Sequence, residues 1–201
     1  MSSLPSIGRK PLDLSTFYRS QPREPAHTAQ TTAKQPARVD PFRNDTFTPS
    51  GGRTPGRDTA HRLDPTHNYL RDRAGTHCNQ YTQDYLRARG VPANARPTGV
   101  ANQMNRFLHS PAGARAGWHQ VSAAEAQRHV NGGGVGMASW YNNTPRAGRP
   151  DGRAPGHVTP IVEGNLTNGS PTVSNAGGHN FERGPASRAF GRHQPEYWVR
   201  G

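Results

Sequence analysis

Gly75-Thr76-His77-Cys78-Asn79-Gln80-Tyr81-Thr82-Gln83-Asp84-Tyr85-Leu86-Arg87-Ala88-Arg89-Gly90 is the stretch from which the rest of the chain can be read. Tyr81, Tyr85 and Leu86 recur at helical spacing, and Gly90 followed by Pro92 stops the pattern. A helix from Cys78 to Arg89 is therefore predicted, with Cys78 in its first turn. A thiol in that position meets the partial positive charge and the unpaired N–H groups of a helix start, and both favour the thiolate. The same N–H groups can stabilise an oxyanion if the thiolate attacks a carbonyl. Cys78 is the only cysteine of the chain, so no intramolecular disulfide can form. A lone cysteine commonly serves as small apolar filler. The polar neighbours His77, Asn79 and Gln80 favour a reactive role instead.

Upstream, residues 1–59 carry Pro, Ser, Thr, Arg and Gln with isolated aromatics and no sustained period, and they read as a disordered basic tail. Ser50-Gly51-Gly52 and Thr54-Pro55-Gly56 look like linker chemistry, which sets the domain at 60–201. The tail reads as a tether, or alternatively as a delivery segment or an arm for an anionic surface.

Downstream, Thr98 is expected to cap a second helix whose apolar residues are Val100, Met104, Phe107 and Leu108. Ser122-Ala-Ala-Glu125 has the capping-box pattern and starts a third helix. Strands are expected over Val135–Tyr141, His157–Glu163, Pro171–Asn175 and Glu196–Arg200. Pro160 argues for an edge strand or a bulge, because it cannot donate to a ladder. Helices followed by strands imply an α+β fold, with N-terminal helices and a small antiparallel sheet.

The base for Cys78 must come from elsewhere in the sequence. Among 10 histidines, His157 stands out because it follows Ala154-Pro155-Gly156 and opens an apolar strand. A third polar group should hold its imidazole in the productive tautomer. Asn175, at the end of the next strand, is the candidate, with His179 in reserve; Asn175 also reads as a turn residue before Gly177-Gly178. The catalytic set is thus Cys78, His157 and Asn175.

Taken in order, Thr76-His77-Cys78-Asn79-Gln80-Tyr81, then Gly156-His157-Val158 opening a strand, then a polar residue on the following strand, resembles the CHAP and NlpC-type cysteine amidases and endopeptidases of peptidoglycan. The middle, with Ala101-Asn-Gln-Met104, Trp118, Ser122-Ala-Ala-Glu-Ala-Gln127 and a strand ending in Trp140, resembles cell-wall amidohydrolases. The resemblance covers roughly residues 62–200, and its specificity lies in the order of short motifs. It departs at Thr159-Pro160, where that family runs small and aliphatic, and at the Gly-, Pro- and Arg-rich segment 142–155. It implies a papain-like fold, attack of Cys78 on an amide of the peptide stem, His157 as base and Asn175 as its orienter. Asn79 and Tyr69 are expected to bind substrate, with Tyr69 or a polar group near Asn79 as the second oxyanion donor. Trp118 and Trp140 are expected along the cleft, with core packing as the alternative.

The formal net charge of +12 favours approach to polyanions, among them a bacterial envelope. The part from residue 61 onward is itself basic, with 16 arginines against 8 acidic residues. No nucleic-acid motif occurs and the arginines are scattered, so no specific nucleic-acid partner is expected. The chain shows no apolar leader, and export without a cleavable signal, in an antibacterial or lytic role, is the expectation. Expected partners are peptidoglycan stems, the anionic envelope and an immunity or delivery protein, with a monomeric state. No cofactor is expected: short-range zinc pairs and a calcium-loop pattern are both absent from the sequence. Two rival readings stand beside this one. One is a transglutaminase- or deamidase-like toxin on the same fold; the other is a non-catalytic basic protein that binds cell wall or nucleic acid.

Overall fold

The strand that ends the chain does not lie at the edge of its sheet. In a computed structural model describing residues 54–73 and 75–201, β6 (Glu196–Arg200) is inserted between β1 (Trp118–Val121) and β2 (Val135–Trp140). β3 (His157–Ile161), β4 (Thr172–Asn175) and β5 (Phe181–Pro185) follow, giving the order β1-β6-β2-β3-β4-β5 with every pair antiparallel. The register places Met137 opposite both Pro160 and Trp198, so β2 is paired on both sides.

Alternation along these strands sends neighbouring side chains to opposite faces. Met137, Val158 and Trp198 join one apolar cluster, whereas Ala138, Ile161 and Val199 join the other. The first cluster is closed by α1 (Pro55–Leu63), α3 (Cys78–Ala88) and α4 (Ala101–Leu108), through Ala60, Tyr85, Leu86, Met104 and Leu108. The second is closed by α6 (Ala123–Asn131) and α7 (Ala186–Phe190), through Ala126, Val130, Ala186 and Phe190. Leu86 and Met104 are fully buried. Each such side chain contributes roughly 1.5–3 kcal/mol relative to exposure. Two short helices, α2 (Pro65–Asn68) and α5 (Pro111–Arg115), complete the α+β fold.

The helix of the opening stretch forms as its periodicity predicts, ending at Ala88. The capping box at α6 also forms: Ser122 Oγ accepts from the Glu125 N–H at 3.2 Å, and the Glu125 carboxylate accepts from the Ser122 N–H at 2.9 Å. Thr98 is not the cap of α4. Val100 takes that position, and the Gln103 side chain accepts from its N–H at 3.0 Å.

Pro160 lies on neither an edge strand nor a bulge of β3. β3 is interior, but its ladder with β4 has only one registered pair, Ile161 with Val173, and the Thr159 hydroxyl donates to the Ser174 carbonyl. A side chain thus satisfies a group that a regular ladder would have paired, which lets proline sit inside the sheet.

The expected linker Thr54-Pro55-Gly56 is the start of α1, so helical structure begins upstream of residue 60. Pro55 suits the first helical turn because its missing N–H is not needed there. Gly56 answers a steric demand: a Cβ there would come within 2.5 Å of the Glu163 carboxylate. That buried carboxylate accepts from the Gly56 and Arg57 N–H groups at 2.9 and 2.8 Å, tying α1 to the end of β3. The remainder of the expected tail, residues 1–53, lies outside the described residues.

Candidate active site

Cys78, His157 and Asn175 come from three separate elements and meet at one end of the sheet. α3 packs on β3, which brings the first turn of the helix over the first residue of the strand. His77, the residue before the helix, makes no side-chain cap, and the first intrahelical bond runs from the Tyr81 N–H to the His77 carbonyl at 2.9 Å. The N–H groups of Cys78, Asn79 and Gln80 therefore have no partner within the helix.

Burial works against ionisation of the Cys78 thiol. Acting together, the charge of His157, a hydrogen bond with it, and the backbone N–H groups of Val158 and Asn79 outweigh burial and hold the thiol below its ordinary range. His157 shows the mirror image. Burial disfavours its charged form, but the Cys78 charge, the bond to Cys78 and the bond to Asn175 raise its affinity for a proton. The pair therefore favours thiolate and imidazolium.

The imidazole is held on several sides. His157 Nε2 lies 2.8 Å from Asn175 Oδ1, and Phe190 of α7 packs edge-on at a centroid distance of 4.9 Å. Asn175 Nδ2 in turn donates to the His179 carbonyl at 2.7 Å. With Nε2 occupied, Nδ1 is the ring nitrogen left for the thiol. His179 contributes its backbone and not its ring, which is exposed. The loop around it is pinned by Asn180, whose Oδ1 accepts from the Gly177 N–H at 2.8 Å and whose Nδ2 donates to the carbonyls of Pro65 and Tyr69.

A cleft of about 260 Å³ opens beside Cys78. One wall is the Gly75–Gln80 segment, and the facing wall comes from the start of α4 and from the connection between β2 and β3. Asn79 lines the cleft as expected, but its side-chain amide donates to the Gly99 carbonyl at 3.0 Å.

Three other expectations need correction. Tyr69 does not serve as an oxyanion donor: its hydroxyl donates to Asp84 at 2.8 Å and its ring packs edge-on against Tyr81. Trp118 is a core residue whose indole N–H donates to the Ala95 carbonyl at 2.7 Å. Trp140 stacks on His193 at 3.7 Å and packs against the second apolar cluster, away from the cleft lining. In all three the aromatic body is worth more as packing than as a substrate wall.

Two residues that sequence reasoning did not assign to the site belong to it. Asn102 is buried at the first turn of α4; its Nδ2 donates to the carbonyls of Asn142 and Ala154, and its Oδ1 accepts from the Asn142 N–H at 3.0 Å. It thereby fixes both ends of the β2–β3 connection. Only the Ala101-Asn-Gln-Met104 motif pointed to it. His77 lines the cleft and faces Asp72, with Nε2 3.2 Å from Oδ2. Its position before the cysteine was the available signal.

The arrangement supplies a nucleophilic thiolate, a proton donor beside it, an orienter for that donor and backbone N–H groups for a developing oxyanion. That is the equipment of acyl transfer. Neither protein-family models nor curated proteins give a match to this chain.

Proposed function

We propose that the chain is a papain-like cysteine amidohydrolase that cleaves amide bonds in the peptide stems of bacterial peptidoglycan. The observation that carries the chemistry is the Cys78–His157–Asn175 relay, with the thiol at a helix N-terminus and His157 Nε2 held at 2.8 Å by Asn175. The Cys78 thiolate attacks the carbonyl, the oxyanion settles on the N–H groups of the first turn, and His157 protonates the leaving amine. Water then attacks the acyl enzyme with His157 as general base.

The choice of substrate rests on the motif order from Cys78 to Asn175 and on the positive charge of the domain, which suits an anionic envelope. The test is digestion of purified peptidoglycan by the wild type and by Cys78→Ala, with soluble fragments identified by mass spectrometry. Fragments from the wild type alone support the proposal, and their masses name the bond. Absence of fragments across several wall types, with deamidated or crosslinked protein side chains instead, would transfer the same relay to a protein substrate.

A further inference from the structure

Ser174 is bonded to both of the elements that bring Cys78 and His157 to the site, and it adjoins the third relay residue. It precedes Asn175 on β4 and is fully buried. Its hydroxyl is hydrogen-bonded to the hydroxyl of Tyr81, which stands three residues after Cys78 on α3. Its carbonyl accepts from the hydroxyl of Thr159, which stands two residues after His157 on β3. Tyr81 and Thr159 are as fully buried as Ser174, so water does not compete for either bond.

Strand pairing does not hold Ser174. β3 and β4 share the single registered pair Ile161 with Val173, and the ladder from β4 to β5 shifts register between Val173 and Asn175. Ser174 sits at that shift and is registered with neither neighbour. Irregularities of this kind re-aim side chains beside active sites. Val173 joins the apolar cluster under α6 and α7, and alternation turns the Ser174 side chain to the other face, where Tyr81 of α3 meets it.

Two buried tyrosine hydroxyls bind α3 to the sheet. Tyr85 donates to the Ile161 carbonyl at 3.3 Å, at the end of β3 remote from His157. Tyr85 lies about two turns from Cys78, whereas Tyr81 lies within one turn of it. The bond to Ser174 is therefore the nearer anchor of the nucleophile. The Tyr81 ring also packs edge-on against Tyr69, a contact that does not need the hydroxyl.

We propose that Ser174 is a positioning residue of the relay: through Tyr81 it holds the first turn of α3, through Thr159 it holds β3, and it thereby fixes the separation of Cys78 from His157 and Asn175. The inference rests on the relay of the proposed function and extends it to three residues that touch no reacting atom. Small misplacements of reacting groups are costly in rate, so this buried junction acts on catalysis from a distance.

The test separates position from stability with Tyr81→Phe, Ser174→Ala and the two combined. Each single change leaves one buried hydroxyl without its partner and should lower Tm. Removing both hydroxyls leaves neither unpaired and should return Tm to within about 2 °C of the wild type. Activity should not return with it: kcat should stay about tenfold down in the double variant, with KM unchanged. Cys78 is the only cysteine, so alkylation of the full chain by iodoacetamide reads its thiolate without any substrate. The midpoint pH of alkylation should rise in the double variant and in Thr159→Val, as the imidazolium recedes from the thiol. A midpoint that stays at the wild-type value in either would overturn the proposal. Should the double variant not fold, Tyr81→Phe, which removes a single oxygen, decides by the same midpoint. His157→Gln keeps the two readings apart: a midpoint moved by it but not by the double variant removes the positioning role alone, whereas a midpoint moved by neither removes the relay as well. Peptidoglycan left intact by the wild type counts against the choice of substrate only, because alkylation needs none.

Discussion

Asn175 faces two ways, accepting from His157 Nε2 at 2.8 Å through Oδ1 while donating to the His179 carbonyl at 2.7 Å through Nδ2. The carbonyl can only accept, so it selects the amide orientation that turns Oδ1 toward the imidazole. Nε2 must then carry a proton, and Nδ1 is the nitrogen that exchanges one with the thiol. The tautomer of His157 is thus set by a backbone group four residues beyond Asn175.

Asn175→Ala should lower kcat roughly tenfold to a hundredfold, the equivalent of losing one hydrogen bond to a charged group. His179→Ala should change activity by no more than about twofold, because only its carbonyl participates and its side chain is exposed. Steady-state kinetics on both variants decide the matter. A large loss in His179→Ala with an intact Asn175→Ala would show that the ring of His179, and not Asn175, orients the base.

The thiol and imidazole perturb each other in opposite directions, and this should be visible as pH dependence. Burial raises the Cys78 pKa, but the charge and hydrogen bond of His157 and two backbone N–H groups more than reverse it, so the thiolate persists below the ordinary thiol range. His157, favoured by Cys78 and Asn175 over its own burial, stays protonated above the ordinary imidazole range. Both shifts favour the ion pair, which forms as pH rises through the depressed thiol pKa and is lost as pH rises through the raised imidazole pKa. Activity should rise with pH through the first and fall through the second, giving a bell. Alkylation by iodoacetamide should report the thiolate directly. Its midpoint should move upward in His157→Gln, where burial remains and the compensating charge is gone. An unchanged midpoint would separate Cys78 from His157.

Much of this relay was legible before the fold was known. Cys78 announced itself by helical periodicity beginning at the residue itself, and His157 by a glycine before it and an apolar strand after it. Asn175 followed from strand adjacency. The short strands β1 and β5 and the insertion of β6 beside β1 were not legible, because pairing of strands distant in sequence leaves no local period. The linker reading of Thr54-Pro55-Gly56 failed for a related reason. Proline and glycine mark turns by default, whereas here Gly56 is required by Glu163, a residue 107 positions away. Trp118 and Trp140 were placed along the cleft as aromatic walls and Tyr69 beside it as a hydroxyl donor, whereas the actual hydrogen-bond and stacking partners of all three are nonlocal.

Glu163 provides a test of the fold that is independent of catalysis. Its buried carboxylate receives two backbone N–H groups of α1 and lies 3.5 Å from Arg89, whose side chain is 6% exposed. Glu163→Ala would leave that guanidinium buried without its partner, a class of change that costs about 3–5 kcal/mol. For a domain of this size, Tm should fall by roughly 10 °C. Thermal unfolding followed by circular dichroism measures it, and a shift below about 2 °C would show that the Arg89 contacts with the Gly133 and Gly134 carbonyls suffice on their own.

Gly177 tests the positioning of the base without substituting any member of the relay. Its backbone is not in the left-handed region, so alanine is conformationally permitted, but a Cβ there would come within 2.8 Å of His157 Cε1 and 3.0 Å of Asn175 Nδ2. Both contacts are closer than carbon normally allows, and His157 is braced from another side by Phe190. The ring must therefore shift by a few tenths of an ångström relative to Cys78, while the core clusters on either side of the sheet are unaffected. Small displacements of catalytic groups are expensive in rate. Gly177→Ala should accordingly lower kcat about tenfold, leave KM and Tm near the wild-type values, and raise the midpoint of Cys78 alkylation as the imidazolium moves away. Loss of Tm in proportion to activity would instead assign Gly177 to packing of the loop, and unchanged kinetics would mean that the imidazole has more freedom than its three contacts imply.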